Sequence, residues 1–493
     1  MPDVPSLVSA LGWAPWAAIP LYLVGFATAV DAVMKARTPQ GATAWVFALA
    51  TLPLIALPIY WILGRFKFDD YVEALRDFDE DVETQIGEAV EGSLKPFLMD
   101  PEDATHDERH PREAGEMEAF ARLATIPFTS ANSVRLLVDG DETFDALLAG
   151  IDRAERYVLA QFFIIHDDDI GQRFKAALLR AAERGCEVRL LYDAIGSWRL
   201  PRRYRRELAA AGVTVSAFAG PRSWLKKLRL NFRNHRKIVV CDGTLGYIGG
   251  LNVGDEYLGN DPAFPNWRDT HLEVAGPIVQ ALQLTFARDW YYAARERLDH
   301  LRWTPEAADD GDQTALVLAS GPADDLETCG LLYAHAIESA EHRVWIATPY
   351  FVPDGRVLGA LQLAALRGVD VRVLMPRQSD AWYFKYVPYA YLPEIERAGV
   401  QVMLYEPGFM HQKVALVDDD FAAVGTANFD NRSFRLNFEA TVVVHDEAFC
   451  DQTAEMLERD MAQATPISRE DLDSKSFLFR FAASATRLLA PVL

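Results

Sequence analysis

Two short stretches of this chain carry side chains able to do phosphoryl chemistry. The first holds His235, Lys237, Asp242, Gly249 and Asn252. The second holds His411, Lys413, Asp418, Gly425 and Asn428, each 176 residues after its counterpart. A single His-x-Lys is uninformative. Two copies in step over five demanding positions are not ordinary surface residues. Ile238 to Val240 read as a strand, Asp242-Gly243 as a turn and Tyr247-Ile248 as the return strand. Residues i and i+2 of a strand share a face, so His235 and Lys237 project together and Asn252 can reach them. Gly249-Gly250 leaves room for close backbone approach, and Gly425-Thr426 stands at the matched place.

Lysine charge and an asparagine amide suit the non-bridging oxygens of a phosphoryl group. Two histidines then divide the remaining work. One attacks phosphorus and becomes a phosphohistidine. The other protonates the leaving oxygen, then deprotonates the incoming alcohol or water. His235 is taken as nucleophile and His411 as acid and base, but the internal symmetry leaves the reverse open. No cofactor or metal is expected: lysine is not a normal ligand, and the acids lack metal-site spacing. A working histidine needs a carboxylate to orient it. Asp269 and Glu439 stand at matching strand starts after each motif, so one is expected behind each histidine. Asp242 and Asp418 complete the candidate catalytic set, at bends where they would pin the hairpin and its lysine.

The surrounding pattern is α/β. Val134–Val138, Tyr157–Ile165 and Val188–Tyr192 read as strands separated by helices over Thr143–Ala154 and Gly171–Arg184. The order returns in Leu316–Ala319, Thr328–Ala340, Val344–Tyr350, Arg356–Arg367 and Gly368–Met375. Such alternation indicates an α/β fold with a buried sheet. A unit of about 170 residues is therefore duplicated, far beyond solenoid periods. It gives two pseudo-symmetric lobes, 131–303 and 304–474, sharing one site.

The N-terminal part, 1–68, is apolar. Trp16–Met34 and Ala42–Leu63 each approach the ~20 residues that cross a bilayer, so a two-helix transmembrane hairpin is expected. Basic residues nearly balance around it, with a lean to a cytoplasmic catalytic part. Residues 69–130 read as an acidic juxtamembrane linker, and 475–493 as an interfacial tail. Two further stretches mix aromatic, apolar and basic residues. Arg222–Arg233 reads as a lipid-facing segment or a solvated helix, and Trp382–Tyr391 as a lipid entrance or core. The net charge of −22 argues against a nucleic-acid partner. The four cysteines lie far apart, which fits buried thiols in a reducing compartment.

The twin pattern His-x-Lys-x4-Asp followed by Gly-x2-Asn resembles that of the phospholipase D superfamily. More of the chain is similar to bacterial cardiolipin synthases. The likeness includes the apolar N-terminus, Asp193–Ser197, Asn231–Lys237, Ile248–Tyr257, Thr348–Pro353 and Gly425–Ser433. The resemblance implies two α/β/α lobes with the active site between them. It implies transfer of a phosphatidyl group from one phosphatidylglycerol to another, with release of glycerol, at the bacterial inner membrane. Phosphatidylglycerol and anionic membrane lipid would be its partners, with no protein partner required. The alternatives are a hydrolase releasing phosphatidic acid, another phosphatidyl donor, and a nucleic-acid phosphodiesterase. The last is disfavoured by the apolar N-terminus and the acidic charge.

Overall fold

The computed structural model describes residues 15–36, 38–64, 68, 70–76, 78, 92–99, 113–219, 232–262, 264–378 and 384–490. The chain divides into two compact units: Met1–Phe68 with Gly220–Phe232, and Asp69–Ala219 with Arg233–Leu493.

In the first unit the apolar sequence forms helices Pro15–Lys35, Pro39–Thr51 and Pro53–Leu63. Thr38 caps the second by accepting from the Gly41 amide at 3.1 Å. Pro53 has no amide hydrogen to continue that helix and begins a new one instead. The second apolar run is thus split, contrary to the single span expected of it. Among the described residues no helix is long and apolar enough to cross a membrane. The transmembrane hairpin expected over 1–68 is not found there in that form. Three packed helices are found, closed around Ala32, Leu49, Ala56 and Tyr60. Asp31, the one acid in the first run, accepts from the Tyr60 hydroxyl at 2.9 Å and pairs with Lys35 at 2.7 Å. The stretch 222–231 lies outside the described residues.

The second unit is built on one large sheet. Its first half contributes β1 (Thr129–Val138), β2 (Tyr157–Phe162), β3 (Glu187–Asp193), β4 (Thr214–Phe218), β5 (Arg233–Asn234), β6 (Ile238–Cys241), β7 (Leu245–Gly249) and β8 (Thr270–Ala275). The second half contributes β9 (Gln313–Ser320), β10 (Arg343–Ala347), β12 (Asp370–Pro376), β13 (Gln401–Tyr405), β14 (Val414–Val417), β15 (Phe421–Gly425), β17 (Asn437–His445) and β18 (Ala464–Ile467), while β11 (Phe351–Val352) and β16 (Phe429–Asp430) pair as a separate two-stranded sheet. The order is β4-β3-β2-β6-β7-β8-β1-β9-β17-β15-β14-β10-β12-β13-β18. Reading outward from the antiparallel β1–β9 pair, the two halves repeat the same sequence of strands.

In each half three parallel strands join an antiparallel hairpin, through β2–β6 and β10–β14. All six residues of β2 are buried, which requires cover on both faces. Helices such as Asp169–Glu183 and Ile278–Ala294 in the first half, and Gly355–Leu366 and Glu447–Met461 in the second, flank the strands. Parts of the stretch 69–130 pack into this unit. Tyr71 packs at a tilt against Phe218, Tyr292 and Phe438, and Met117 and Phe120 enter the second half's core.

Candidate active site

The site begins at the hairpin bends. Asp242 and Asp418 adopt φ of 55° and 50°, the left-handed region that aspartate tolerates in turns. The Asp242 carboxylate accepts from the amides of Glu155, Arg156 and Tyr157, each at 2.8 Å. Asp418 accepts from Glu341 and His342 at 2.7 Å and from Arg343 at 2.8 Å. Both therefore tie the hairpin bend to the start of the neighbouring parallel strand. Seven residues of extended chain, roughly 20 Å, separate each from its histidine. The structure places neither carboxylate beside an imidazole, and both serve the hairpin bends where the sequence put them. Asp242→Ala is expected to lower the unfolding free energy by about 2–3 kcal/mol, from the lost amide acceptors. Turnover by the folded protein should stay within about threefold of wild type. Urea midpoints and initial rates check the two parts separately.

At the other end of these strands the halves exchange segments. β5 pairs in parallel with the start of β17, and the His235 amide donates to the Phe438 carbonyl at 2.9 Å. Met410 bridges to Arg268, and the His411 amide donates to the Arg268 carbonyl at 2.7 Å. Each histidine is thereby delivered to the carboxylate strand of the opposite half. His235 Nδ1 lies 2.9 Å from Glu439 Oε2, and His411 Nδ1 lies 2.8 Å from Asp269 Oδ2. Both carboxylates are fully buried.

Each acid is held differently. Glu439 accepts from Thr426 Oγ1 at 2.5 Å, Ser433 Oγ at 3.0 Å and Asn437 Nδ2 at 3.1 Å. Asp269 accepts from the Thr270 amide at 2.8 Å and Trp267 Nε1 at 3.3 Å. Gly250 is the space that admits it: a Cβ there would stand 2.0 Å from Asp269 Oδ1. The matched Thr426 instead supplies a donor. Asn252 accepts from the Ile164 amide at 3.1 Å and donates to the Tyr257 hydroxyl at 2.8 Å. Asn428 donates to Asp430 at 3.2 Å, and its Oδ1 is buried without a partner among the described residues. Lys237 Nζ donates to the His235 carbonyl at 2.6 Å. Lys413 Nζ lies 2.9 Å from Nδ1 and 3.2 Å from Nε2 of His411.

Burial lowers the His235 pKa to about 4, against the pull of Glu439. Burial and the neighbouring Lys413 lower His411 to about 3. Each imidazole also feels the lysine of the other half, Lys413 for His235 and Lys237 for His411. Burial alone would raise Asp269 and Glu439. The adjacent lysines and histidines outweigh it and hold both below the usual carboxylate range. Burial also brings Lys237 down to about 7. An ionised carboxylate only accepts, so Nδ1 of each neutral imidazole carries the hydrogen. Nε2 is left with its lone pair for chemistry.

These shifts make stability depend on pH. An unfolded histidine binds a proton near 6.5, whereas the folded ones refuse it until about 4 and about 3. The unfolded state therefore holds more protons in that window. Stability is fully present above about pH 6.5 and is lost as the pH falls toward about 4. The depressed carboxylates act in the same direction at lower pH. A loss of about 5 kcal/mol between about pH 7 and about pH 4.5, about half from each histidine, is expected in urea titrations. His235→Ala and His411→Ala should each flatten it.

A second buried network was missed in the sequence. Arg236, on the strand face opposite the His235 and Lys237 side chains, pairs with Asp289 at 2.8 Å and donates through Nε to the Glu439 carbonyl at 2.9 Å. Asp289 also accepts from Tyr71, Gln161 and Asn234. In the other half Asp460 accepts from Gln412 at 2.8 Å and from Arg268 at 2.9 Å. Asp289 and Asp460 sit 171 residues apart on matching helices, a repeat signal that could have revealed them. Among the described residues no group of three or more His, Cys, Asp or Glu side chains could hold a metal ion.

A duplicated sheet that exchanges two histidine strands across its middle defines the phospholipase D-like class of enzyme. The family model described as cardiolipin synthase, PLD-like domain, matches residues 147–290 and 333–461, more than half of the chain. The chain belongs to this cardiolipin synthase family. Cardiolipin synthase A of Pseudomonas fluorescens is 45% identical over 473 residues, covering 96% of this chain and 97% of that one. Cardiolipin synthase A of Pseudomonas putida is 44% identical with the same coverage. Among solved structures, phosphatidylserine synthase of Haemophilus influenzae shares the fold, with a TM-score of 0.58 at 14% identity. It covers 77% of this chain and 100% of its own.

Proposed function

We propose that this enzyme is a cardiolipin synthase that transfers a phosphatidyl group between two phosphatidylglycerol molecules through a phosphohistidine. The observation that carries the mechanism is the pair of neutral imidazoles, each held through Nδ1 by a buried carboxylate of the opposite half, beside two buried lysines. Nε2 of His235 attacks phosphorus, and the bond from phosphorus to the glycerol oxygen breaks. His411 gives that oxygen a proton, and glycerol leaves. His411 then takes the proton from a hydroxyl of the second phosphatidylglycerol. The hydroxyl oxygen attacks phosphorus, the P–N bond breaks and His235 is restored. His411 must enter this cycle protonated, although it is neutral in the empty site. The anionic phosphodiester favours that proton by raising the pKa of groups around it. The same charge favours the ammonium forms of Lys237 and Lys413, which balance the phosphoryl oxygens. Asn252 and Asn428 each keep one amide N–H uncommitted among the described residues and are assigned as further donors.

The three packed helices near the N-terminus support attachment to the bacterial inner membrane, and the basic residues around them lean the catalytic part to the cytoplasmic side. Leu23, Phe26, Met34 and Phe47 are large apolar side chains on their exterior, a pattern suited to lipid rather than water. Purified enzyme given vesicles with radiolabelled phosphatidylglycerol is expected to form cardiolipin and glycerol in equal amounts. Phosphatidic acid as the sole phospholipid product would overturn the synthase reading in favour of a hydrolase.

A further inference from the structure

The C-terminal helix Phe477–Thr486 begins at Ser476, whose hydroxyl accepts from the Phe479 amide at 3.3 Å. Its inner face packs normally. Ala483 is buried in the core of the second half, and Phe479 lies 4.9 Å from the Tyr386 ring and 5.3 Å from the Tyr389 ring. An amphipathic helix so docked should be polar outside. This one is not. Phe477, Leu478 and Phe481 are 72%, 75% and 63% exposed, and Leu488 in the following turn is 82% exposed.

The charge of the segment is also unlike that of the chain. Residues 475–493 contain Lys475, Arg480 and Arg487 and no acid, in a protein of net charge −22. Arg480 and Arg487 lie at the edges of the apolar face, 3.8 Å from Asp473 and 2.6 Å from Glu394. The face is connected to the site. Tyr386, which touches Phe479, shares the short turn Phe384–Tyr386 with Phe384. Phe384 stacks on Tyr350 at 4.0 Å, and Tyr350 stands 6.5 Å from the His411 ring.

We propose that this outward face is a docking surface for an anionic phospholipid bilayer, placed on the His411 side of the active site. Phe477, Leu478, Phe481 and Leu488 enter the acyl boundary, while Lys475, Arg480 and Arg487 meet the headgroups. The aromatic path through Phe384 and Tyr350 then places the bilayer surface beside the histidine assigned to the alcohol. This use of the face rests on the lipid reaction proposed above. Contact with lipid is measured without turnover, so the two can fail separately.

The test uses the full chain with Leu478→Cys carrying an environment-sensitive fluorophore. Cys186, Cys241, Cys329 and Cys450 are all buried, which leaves the new thiol as the reactive one. On vesicles of phosphatidylglycerol and phosphatidylcholine the label should shift to the blue. Nitroxide lipids should quench it and aqueous iodide should not. Quenching by iodide on vesicle-bound protein would overturn the proposal. Protection from both quenchers would also overturn it, by placing a second copy of the chain over the face. As a second measurement, Phe477→Ser with Leu478→Ser and Phe481→Ser should lower turnover on vesicles about tenfold. Turnover of dispersed short-chain phosphatidylglycerol should remain within about twofold. Equal turnover on vesicles by variant and wild type would sink the proposal. Wild-type protein that makes no cardiolipin yet shows the lipid quenching would sink the enzymatic reading alone.

Discussion

Alanine at His235 or at His411 is expected to reduce cardiolipin formation by about 10⁴-fold or more. Both imidazoles serve the same phosphoryl transfer, so the losses should not multiply. The double variant should be about as slow as the slower single variant. Wild-type enzyme denatured during turnover should carry acid-labile radiolabel on His235. Label on His411 would reverse the two roles. Label on neither would end the covalent mechanism. Expression and thermal melting of each variant separate chemistry from folding, since both histidines lie in the buried network with Asp269 and Glu439.

The second large effect is expected at the carboxylates, and it tests their exchange between halves. Glu439→Gln and Asp269→Asn should each cost about 10³–10⁴-fold, because an amide stabilises the wrong tautomer of its histidine. The two variants should differ on a phosphatidyl ester of p-nitrophenol, whose leaving group needs no proton. Asp269 serves His411, the assigned acid, so Asp269→Asn and His411→Ala should both recover an initial burst of p-nitrophenol. Glu439 serves His235, the assigned nucleophile, so Glu439→Gln and His235→Ala should stay slow. If the variants group by sequence half, with Glu439→Gln behaving like His411→Ala, the exchanged pairing is wrong. The observed distances of 2.9 Å and 2.8 Å predict grouping across the halves.

Much of this was legible in residue types and spacing. The 176-residue offset marked two equivalent strands before any fold was in view. Alternation of apolar strands with helices pointed to an α/β sheet, and the family comparison agrees with that class. The weaker reading failed for a local reason. The apolar run Ala42–Leu63 has the composition of one long helix, but Pro53 divides it. Asp242 and Asp418 read from the sequence as residues of the hairpin bends, and they stand there. Their bonds go to backbone amides of a strand that lies more than seventy residues away in sequence.

By itself, the sequence determined the inventory: two histidines, two lysines, two strand-start acids and their duplicated setting. Strand periodicity places His235 beside Lys237 without reference to any distant residue. Only the tertiary structure decided which acid serves which histidine. That choice depends on β5 pairing with β17 and on Met410 bridging to Arg268. Both are contacts between the two halves, and nothing in either repeat distinguishes its own carboxylate from the other's. Burial was decided there as well. The depressed pKa values that leave two neutral imidazoles against two ionised carboxylates arise from desolvation and from lysines of both halves. Those fields exist only once the halves of the sheet are joined.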